Sequence, residues 1–503
     1  MHATLVQALD AAAARAPAAM ALAWHGVEWT FGDLATAVSR VRAGLAARQV
    51  SRGAAVGLLL PNSPHYVAAY YGALASGCIV VPLNAHERSG VLLRQIEHSG
   101  TRLVVGDRAH PEWPAIAAAA GRRKFALLEL TLADGPACLD TFARELGIAA
   151  GTAPRATPDA GDPAAILYTS GTTGQPKGVT LSHGNLASNA AAIVEYLRLG
   201  PADRGLCVLP LHFAYGNSVL HSHLLAGARL RLEDHLAYPH LVLQRIQDEA
   251  ITGFAGVPST FAVLLARCRF EDFDLASLRY LTQAGGPMPQ SLVARLRRAL
   301  PGTKVFAMYG QTEATARLTY LPPERLDDKP GSVGIPVANV EIDIRQHGRS
   351  VPRGQSGEIC ARGPNVMLGY WQNAEATAAV LREGWLHTGD LGHLDADGYL
   401  FIDGRAAEMI KVGAYRVSPR EVEEVIAALP GVAEVAAAAM PDELLGHAVK
   451  AVVVAAPGAA LDARAIKAQC RQQLATYKIP RVVEFVEALP RTASGKVLRR
   501  ELA

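Results

Sequence analysis

Leu5, Leu9 and the pair Ala12 and Ala13 recur at helical spacing, and residues 31–48 repeat the pattern with Leu34, Val38, Val41 and Leu45 on one stripe. The rhythm then changes. Short apolar runs, AAVGLLL at 54–60, CIVVPL at 78–83, LVV at 103–105 and AAILYT at 164–169, alternate with amphipathic helical stretches. A strand with no polar alternation has both faces covered, so the pattern predicts largely parallel sheets packed between helices. The strand–helix–strand order continues past residue 300. A Pro-, Gly- and Thr-rich stretch at 151–163 reads as an exposed connector between two lobes. Near 403–405 a hairpin-like DADGYLFIDGR leads into a separate unit with VAEVAAAAM, AVKAVVVAA and RVVEFV as strands. The fold class is therefore α/β, with a large N-terminal domain at 1–402, a hinge at 403–407 and a small C-terminal α+β domain at 408–503.

Composition narrows the class without naming it. A chain of 503 residues is too long for one compact core. Half of it is hydrophobic and 19% charged, which excludes a disordered or fibrous protein. The net charge of +3, spread along the chain, gives no field that would draw nucleic acid or a membrane surface. Cys78, Cys138, Cys207, Cys268, Cys360 and Cys470 lie far apart with no CxxC pair, so free thiols and a cytoplasmic location are expected. Asp10 and Arg15 interrupt the first apolar stretch, unlike a secretory signal. No run of about 18 apolar residues suggests a membrane span.

The densest chemistry lies in YTSGTTGQPKGV at 168–179, which follows a buried strand. Glycines allow close backbone approach, and hydroxyls with amides suit phosphate oxygens. An ordinary P-loop is disfavoured, because Pro176 and Gly178 occupy the places where that motif needs Gly and Ser or Thr. His221 and His223 form an HxH beside His212, but i and i+2 on a helix face apart, and a zinc site is not expected. DADG at 395–398 reads as a hairpin turn.

The segment 168–179 resembles the phosphate loop of the adenylate-forming superfamily, which includes AMP-dependent acyl-CoA synthetases. The resemblance continues in order through LPLHFAYG (209–216), QAGGPM (283–288), YGQTEAT (309–315), GEICARGPNVMLGYW (357–371), GWLHTGDLG (384–392), DGRAAEMIKVGAYRVSPREVE (403–423) and PRTASGK (490–496). It implies a mobile C-terminal domain and the following roles. Thr169, Ser170, Gly171, Thr172, Thr173, Gly174 and Lys177 hold phosphates of ATP. Gly285, Gly286 and Pro287 carry adenine contacts, Tyr309 stacks against the base, and Gly310 and Gln311 belong to the nucleotide-binding set. Thr312 lies near the α-phosphate and Glu313 binds Mg²⁺ through a hard carboxylate oxygen. Asp390 and Arg405 contact the ribose. Lys496 enters during adenylation and stabilises developing charge.

Two departures refine this. His212, Phe213 and Ala214 stand where substrate contacts are expected, and Ala214 replaces the aspartate that pairs with an α-ammonium in amino-acid-activating relatives. Leaving that ammonium unpaired and buried is costly, so an apolar acid, fatty or aryl, is expected. Ala407 occupies the hinge position where Asp or Lys is usual. The expected activity is AMP-forming ligation of that acid to coenzyme A. A carrier-protein phosphopantetheine is an alternative acceptor, and an inactive nucleotide-binding scaffold is a third reading.

Overall fold

The computed structural model describes residues 3–132, 158–169, 177–234, 236, 238–286, 288–405, 408–412, 415–442, 446–474, 476–492 and 497–502. Two large sheets and one small sheet organise them. In the first, strands Met20–Trp24, Arg229–Leu232, Arg204–Cys207, Gly253–Gly256, Tyr280–Gln283 and Lys304–Tyr309 lie side by side and parallel. In the second, Ala126–Leu130, Leu103–Asp107, Ala55–Leu59, Ile79–Pro82 and Pro163–Thr169 are likewise parallel. The apolar runs read from the sequence are these strands, buried on both faces.

Helices fill the space between and around the sheets. Helix Pro64–Ala75 is buried along its whole length. Its start is fixed by Ser63, whose hydroxyl accepts from Tyr66 N at 3.2 Å, with Pro64 in the first turn. It packs on Phe31–Ala47, and one apolar cluster joins both helices to strands of both sheets. Helices His183–Leu197 and Ala214–Ala226 lie against each other.

Past Tyr309 the expected helix–strand alternation stops. The next strand, Thr319–Tyr320, returns antiparallel to Lys304–Tyr309, and Ser332–Pro336, Leu400–Arg405, Trp385–Leu394, Gly357–Arg362 and Glu341–Gln346 continue antiparallel from it. The reason is length: nine residues between two strands cannot hold the crossover that a parallel pair needs. The DADG turn closes the hairpin between Trp385–Leu394 and Leu400–Arg405, with Asp395 accepting from the amides of Asp397 and Tyr399.

The three C-terminal strands expected from sequence form one small sheet, with Val432–Asp442 and Val482–Phe485 on either side of Gly446–Ala455. Helix Pro419–Ala427 packs on it. Buried Glu423 in that helix accepts from Ala437 N at 2.7 Å and pairs with Arg499 at 2.7 Å. Burial pushes its carboxyl up and Arg499 opposes this. Arg420 donates to Ile402 O at 2.9 Å, which ties this helix to the larger unit. Strand pairing of the larger unit runs through Arg405. Among the described residues, no helix is long and apolar enough to cross a membrane.

His65, His183 and His221 are almost completely buried, and burial pushes them down to about 4, 4 and 3 respectively. They stay neutral in the fold while the unfolded chain takes up protons below about pH 6.5. Stability is therefore expected to fall as pH drops from 6.5 towards 4, each histidine adding about 1.4 kcal/mol per pH unit. Urea midpoints between pH 7.5 and 5 check this, and His221→Gln should flatten the slope.

Candidate active site

Parallel strands present their carboxyl ends together, and ligands of open α/β sheets bind outside those ends. Here Cys207, Gly256, Gln283 and Tyr309 end four neighbouring strands. The segments that follow them carry nine of the singled-out residues: His212, Phe213 and Ala214 after the first, Gly285 and Gly286 after the third, and Gly310 to Glu313 after the fourth. Gly285 has φ +87°, which favours glycine, and Gly286 O accepts from Gln283 Nε2 at 2.7 Å.

The segment from Tyr309 to Leu318 is a closed loop. Leu318 N donates to Tyr309 O at 2.9 Å, and a Cβ on Gly310 would stand 2.0 Å from Ala316 O. Gln311 caps a single turn over Thr312–Ala314. Thr315 has φ +65°, a strained value for a β-branched residue. It is held there by its hydroxyl on Asn365 O at 2.6 Å, while Asn365 Nδ2 donates to Ala314 O and Arg317 O.

Two side-chain chains radiate from this loop. Tyr309 donates to Asp390 Oδ2 at 2.6 Å, and Arg405 Nε donates to Asp390 Oδ1 at 2.7 Å. Burial and the neighbouring carboxylate push the Tyr309 phenol well up, so it remains a donor, and the same carboxylate raises Arg405. Asp390 is buried yet each of its oxygens has an acceptor site left over. In the other direction, Tyr370 donates to Glu313 Oε1 at 2.9 Å. Burial and Glu313 raise its phenol. Lys177 Nζ lies over the Tyr370 ring, 4.9 Å from its centre. Thr169 pairs with Lys177 on neighbouring antiparallel strands. Ser170, Gly171, Thr172, Thr173 and Gly174, with Pro287, Ala407 and Lys496, lie outside the described residues.

The third cluster is the head of helix Ala214–Ala226. Phe213 is its cap residue, and the His212 ring lies 4.1 Å from that of Phe213. His212 is pushed down to about 3 by burial, with His86 adding to the effect, and is neutral at pH 7. Ala214 is buried against the apolar core. His221 and His223 do face apart: His221 Nδ1 lies 3.0 Å from Tyr71 OH, and His223 Nε2 lies 3.1 Å from Tyr280 OH. Three other potential ligands, Glu358, Cys360 and His387, have donor atoms within 4.8 Å of one another. A 2.7 Å contact between His387 Nδ1 and Glu358 accounts for their closeness.

Tyr370, Asn365 and Tyr215 were not singled out from sequence. Tyr370 and Asn365 fall within the quoted segment 357–371, so the signal was a position, without a chemical reason until the fold placed them beside Glu313 and Thr315. Tyr215 sits one residue beyond Ala214 and donates to Thr282 O at 2.9 Å.

Residues 9–371 match the family model for AMP-binding enzymes, and residues 421–496 match that for the AMP-binding enzyme C-terminal domain. A feruloyl-CoA synthase of Amycolatopsis sp is 36% identical over 490 residues, 97% of this chain and 96% of that protein. The o-succinylbenzoate coenzyme A synthetase of Bacillus subtilis, solved with ATP and magnesium ion, is 31% identical, with a TM-score of 0.85 over 98% of each chain. ATP-bound MatB from Rhodopseudomonas palustris is 31% identical, with a TM-score of 0.91 over 100% of this chain and 98% of that one. The chain belongs to the adenylate-forming superfamily, in its branch of AMP-forming acyl-CoA ligases.

Because Gly310 touches the Ala316 carbonyl, Gly310→Ala is expected to open the loop and cost about 1–3 kcal/mol. A lower denaturant midpoint for the purified variant checks this.

Proposed function

We propose that this ligase activates a carboxylic acid of apolar body, fatty or aryl, and passes it to coenzyme A. The observation that carries the reading is the pair of contact chains, Lys177–Tyr370–Glu313 and Tyr309–Asp390–Arg405, strung on one closed loop. ATP is bound across them. Asp390 accepts from the ribose hydroxyls, with Arg405 as second contact. Tyr309, Gly310, Gln311, Gly285, Gly286 and Pro287 surround the adenine. The phosphates meet Thr169, Ser170, Gly171, Thr172, Thr173, Gly174 and Lys177, and Thr312 lies towards the α-phosphate.

The donor set suits magnesium: Glu313 Oε1 is occupied by Tyr370, which orients the carboxylate, and its other oxygen has no partner among the described residues. Bound there, the ion screens phosphate charge from an incoming carboxylate. The acid's oxygen forms a bond to the α-phosphorus, and the bond from that phosphorus to pyrophosphate breaks. Lys496 offsets charge on the reacting groups. The thiol of coenzyme A then adds to the acyl carbon and AMP leaves. His212, Phe213 and Ala214 border the acid, and the lack of a carboxylate at Ala214 disfavours an α-ammonium.

The chain divides into the acid- and nucleotide-binding domain at 1–402, a hinge at 403–407 and a mobile domain at 408–503. The strand Leu400–Arg405 keeps Arg405 in the larger sheet, so turning centres on Ala407 and its neighbours.

Pyrophosphate exchange over a panel of carboxylic acids, followed by mass spectrometry with coenzyme A and with a phosphopantetheinylated carrier, tests the reading. Thioester on coenzyme A is expected; thioester on the carrier alone would assign the alternative acceptor. Lys496→Ala is expected to abolish most adenylate formation while sparing thioester formation from supplied acyl-adenylate, and equal loss in both steps would remove its role.

Ala407→Pro separates the half-reactions in the opposite sense. Proline fixes φ and deletes an N–H, so exchange should persist while thioester formation is lost. A folded Ala407→Pro enzyme making thioester at the wild-type rate would place the pivot elsewhere.

A further inference from the structure

Lys177 and Glu313 carry opposite charges and meet one side chain from two directions. Tyr370 donates through its hydroxyl to Glu313 Oε1 at 2.9 Å, while its ring face lies under Lys177 Nζ, 4.9 Å from the ring centre. All three side chains are half-buried. Among the described residues no ion pair joins the lysine to the glutamate.

That separation needs a cause. Lysine has a flexible stem and three donors, and a carboxylate with a bare oxygen nearby attracts it more strongly where water is partly excluded. Direct pairing would satisfy both groups and leave neither for a nucleotide. The ammonium would be drawn from phosphate and would stand where a divalent ion has to sit.

The backbone sets the three residues at fixed places. The two-residue strand Gly369–Tyr370 lies antiparallel to Lys177–Ser182. Leu368 N donates to Thr180 O at 2.9 Å and Trp371 N to Gly178 O at 2.7 Å, which stitches this strand to the one that Lys177 begins. On the other side Met367 N donates to Glu313 O at 2.9 Å. Tyr370 N itself donates to Thr377 Oγ1 at 2.9 Å. Segment 367–371 is thus bonded to the lysine strand and to the glutamate turn at once, and Tyr370 is the side chain it places between them.

We propose that Tyr370 is a positioning residue that acts as a spacer, holding Lys177 by its ring and Glu313 by its hydroxyl so that the two charges do not neutralise each other before ATP and its metal arrive. This rests on the ligase reading above, in which Lys177 meets phosphate and Glu313 the metal, and adds how both stay available. A ring face attracts an ammonium more weakly than a carboxylate does, so Lys177 is held without being spent. The hydroxyl engages one oxygen of Glu313 and leaves the other to the metal.

Calorimetry of ATP binding with and without Mg²⁺, and electron paramagnetic resonance of Mn²⁺ binding to the enzyme–ATP complex, test the spacer apart from turnover. Tyr370→Phe keeps the ring and frees Glu313, so Mn²⁺ affinity should fall by roughly 10-fold while metal-free ATP affinity stays near wild type. Tyr370→Leu removes both holds, and metal-free ATP affinity should fall as well. Adding Lys177→Gln to Tyr370→Leu should then raise Mn²⁺ affinity, because the competing ammonium is gone, whereas in the wild-type background the same change should not raise it. Thioester formation from supplied acyl-adenylate should stay near wild type in Tyr370→Phe, since a packing defect would lower both half-reactions.

Unchanged Mn²⁺ affinity in Tyr370→Phe, equal loss of the two half-reactions, or no gain from Lys177→Gln in Tyr370→Leu would overturn the inference and leave Tyr370 a packing residue. Tyr370→Phe keeps the bulk of the side chain, so its readouts decide the matter even where Tyr370→Leu does not fold. A wild type whose ATP affinity ignores Mg²⁺ and which exchanges pyrophosphate with no acid would instead strike the ligase reading, and this inference with it.

Discussion

The site is organised by one backbone contact, the amide of Leu318 on the carbonyl of Tyr309, closing a loop in which Gly310 lies against the Ala316 carbonyl. No other residue type fits at 310, because any Cβ would overlap that oxygen. The closure is also where the parallel sheet ends and the antiparallel region begins. One constraint thus sets the change of topology, aims Tyr309 at Asp390, presents Glu313 to Tyr370 and sends Arg317 inward.

The strain at Thr315 belongs to the same device. A threonine at φ +65° persists only where its neighbours outweigh the cost, on the order of 1–3 kcal/mol for such conformations. Asn365 does this from a segment 50 residues later, and Asn189 adds a bond to Arg317 O from helix His183–Leu197. The loop is held from both sides by amide side chains, so its carboxylate and phenol take no part in closing it and bond instead to Tyr370 and Asp390.

Much of this could be read from the chain. The uninterrupted apolar runs at 54–60, 78–83 and 164–169 identified parallel strands because burial on both faces removes polar alternation. Asp390, Arg405, Tyr309 and Glu313 were legible as segments in a fixed order, and the fold adds that the first three form one hydrogen-bonded unit. What escaped was whatever depends on distant pairing. The antiparallel region after Tyr309 follows from strands as short as two residues, too brief to show a period. Tyr370 is 57 residues from its partner Glu313. Arg317 looks like any arginine after a polar stretch, and only the packing of two helices and a sheet around it reveals a buried charge.

Arg405 is the last residue of its strand, and its guanidinium rests on Asp390 while the chain next departs towards the C-terminal unit. On the proposed assignment of Arg405 to the ribose, nucleotide contact and the path to the small domain meet within two residues. Binding linkage is reciprocal: any orientation of the small domain that alters the reach of Arg405 alters affinity for the ribose by the same factor that the nucleotide alters the balance of orientations. Under that assignment, and with the small domain turning as proposed, the affinity of free AMP doubles as a gauge of where the small domain rests.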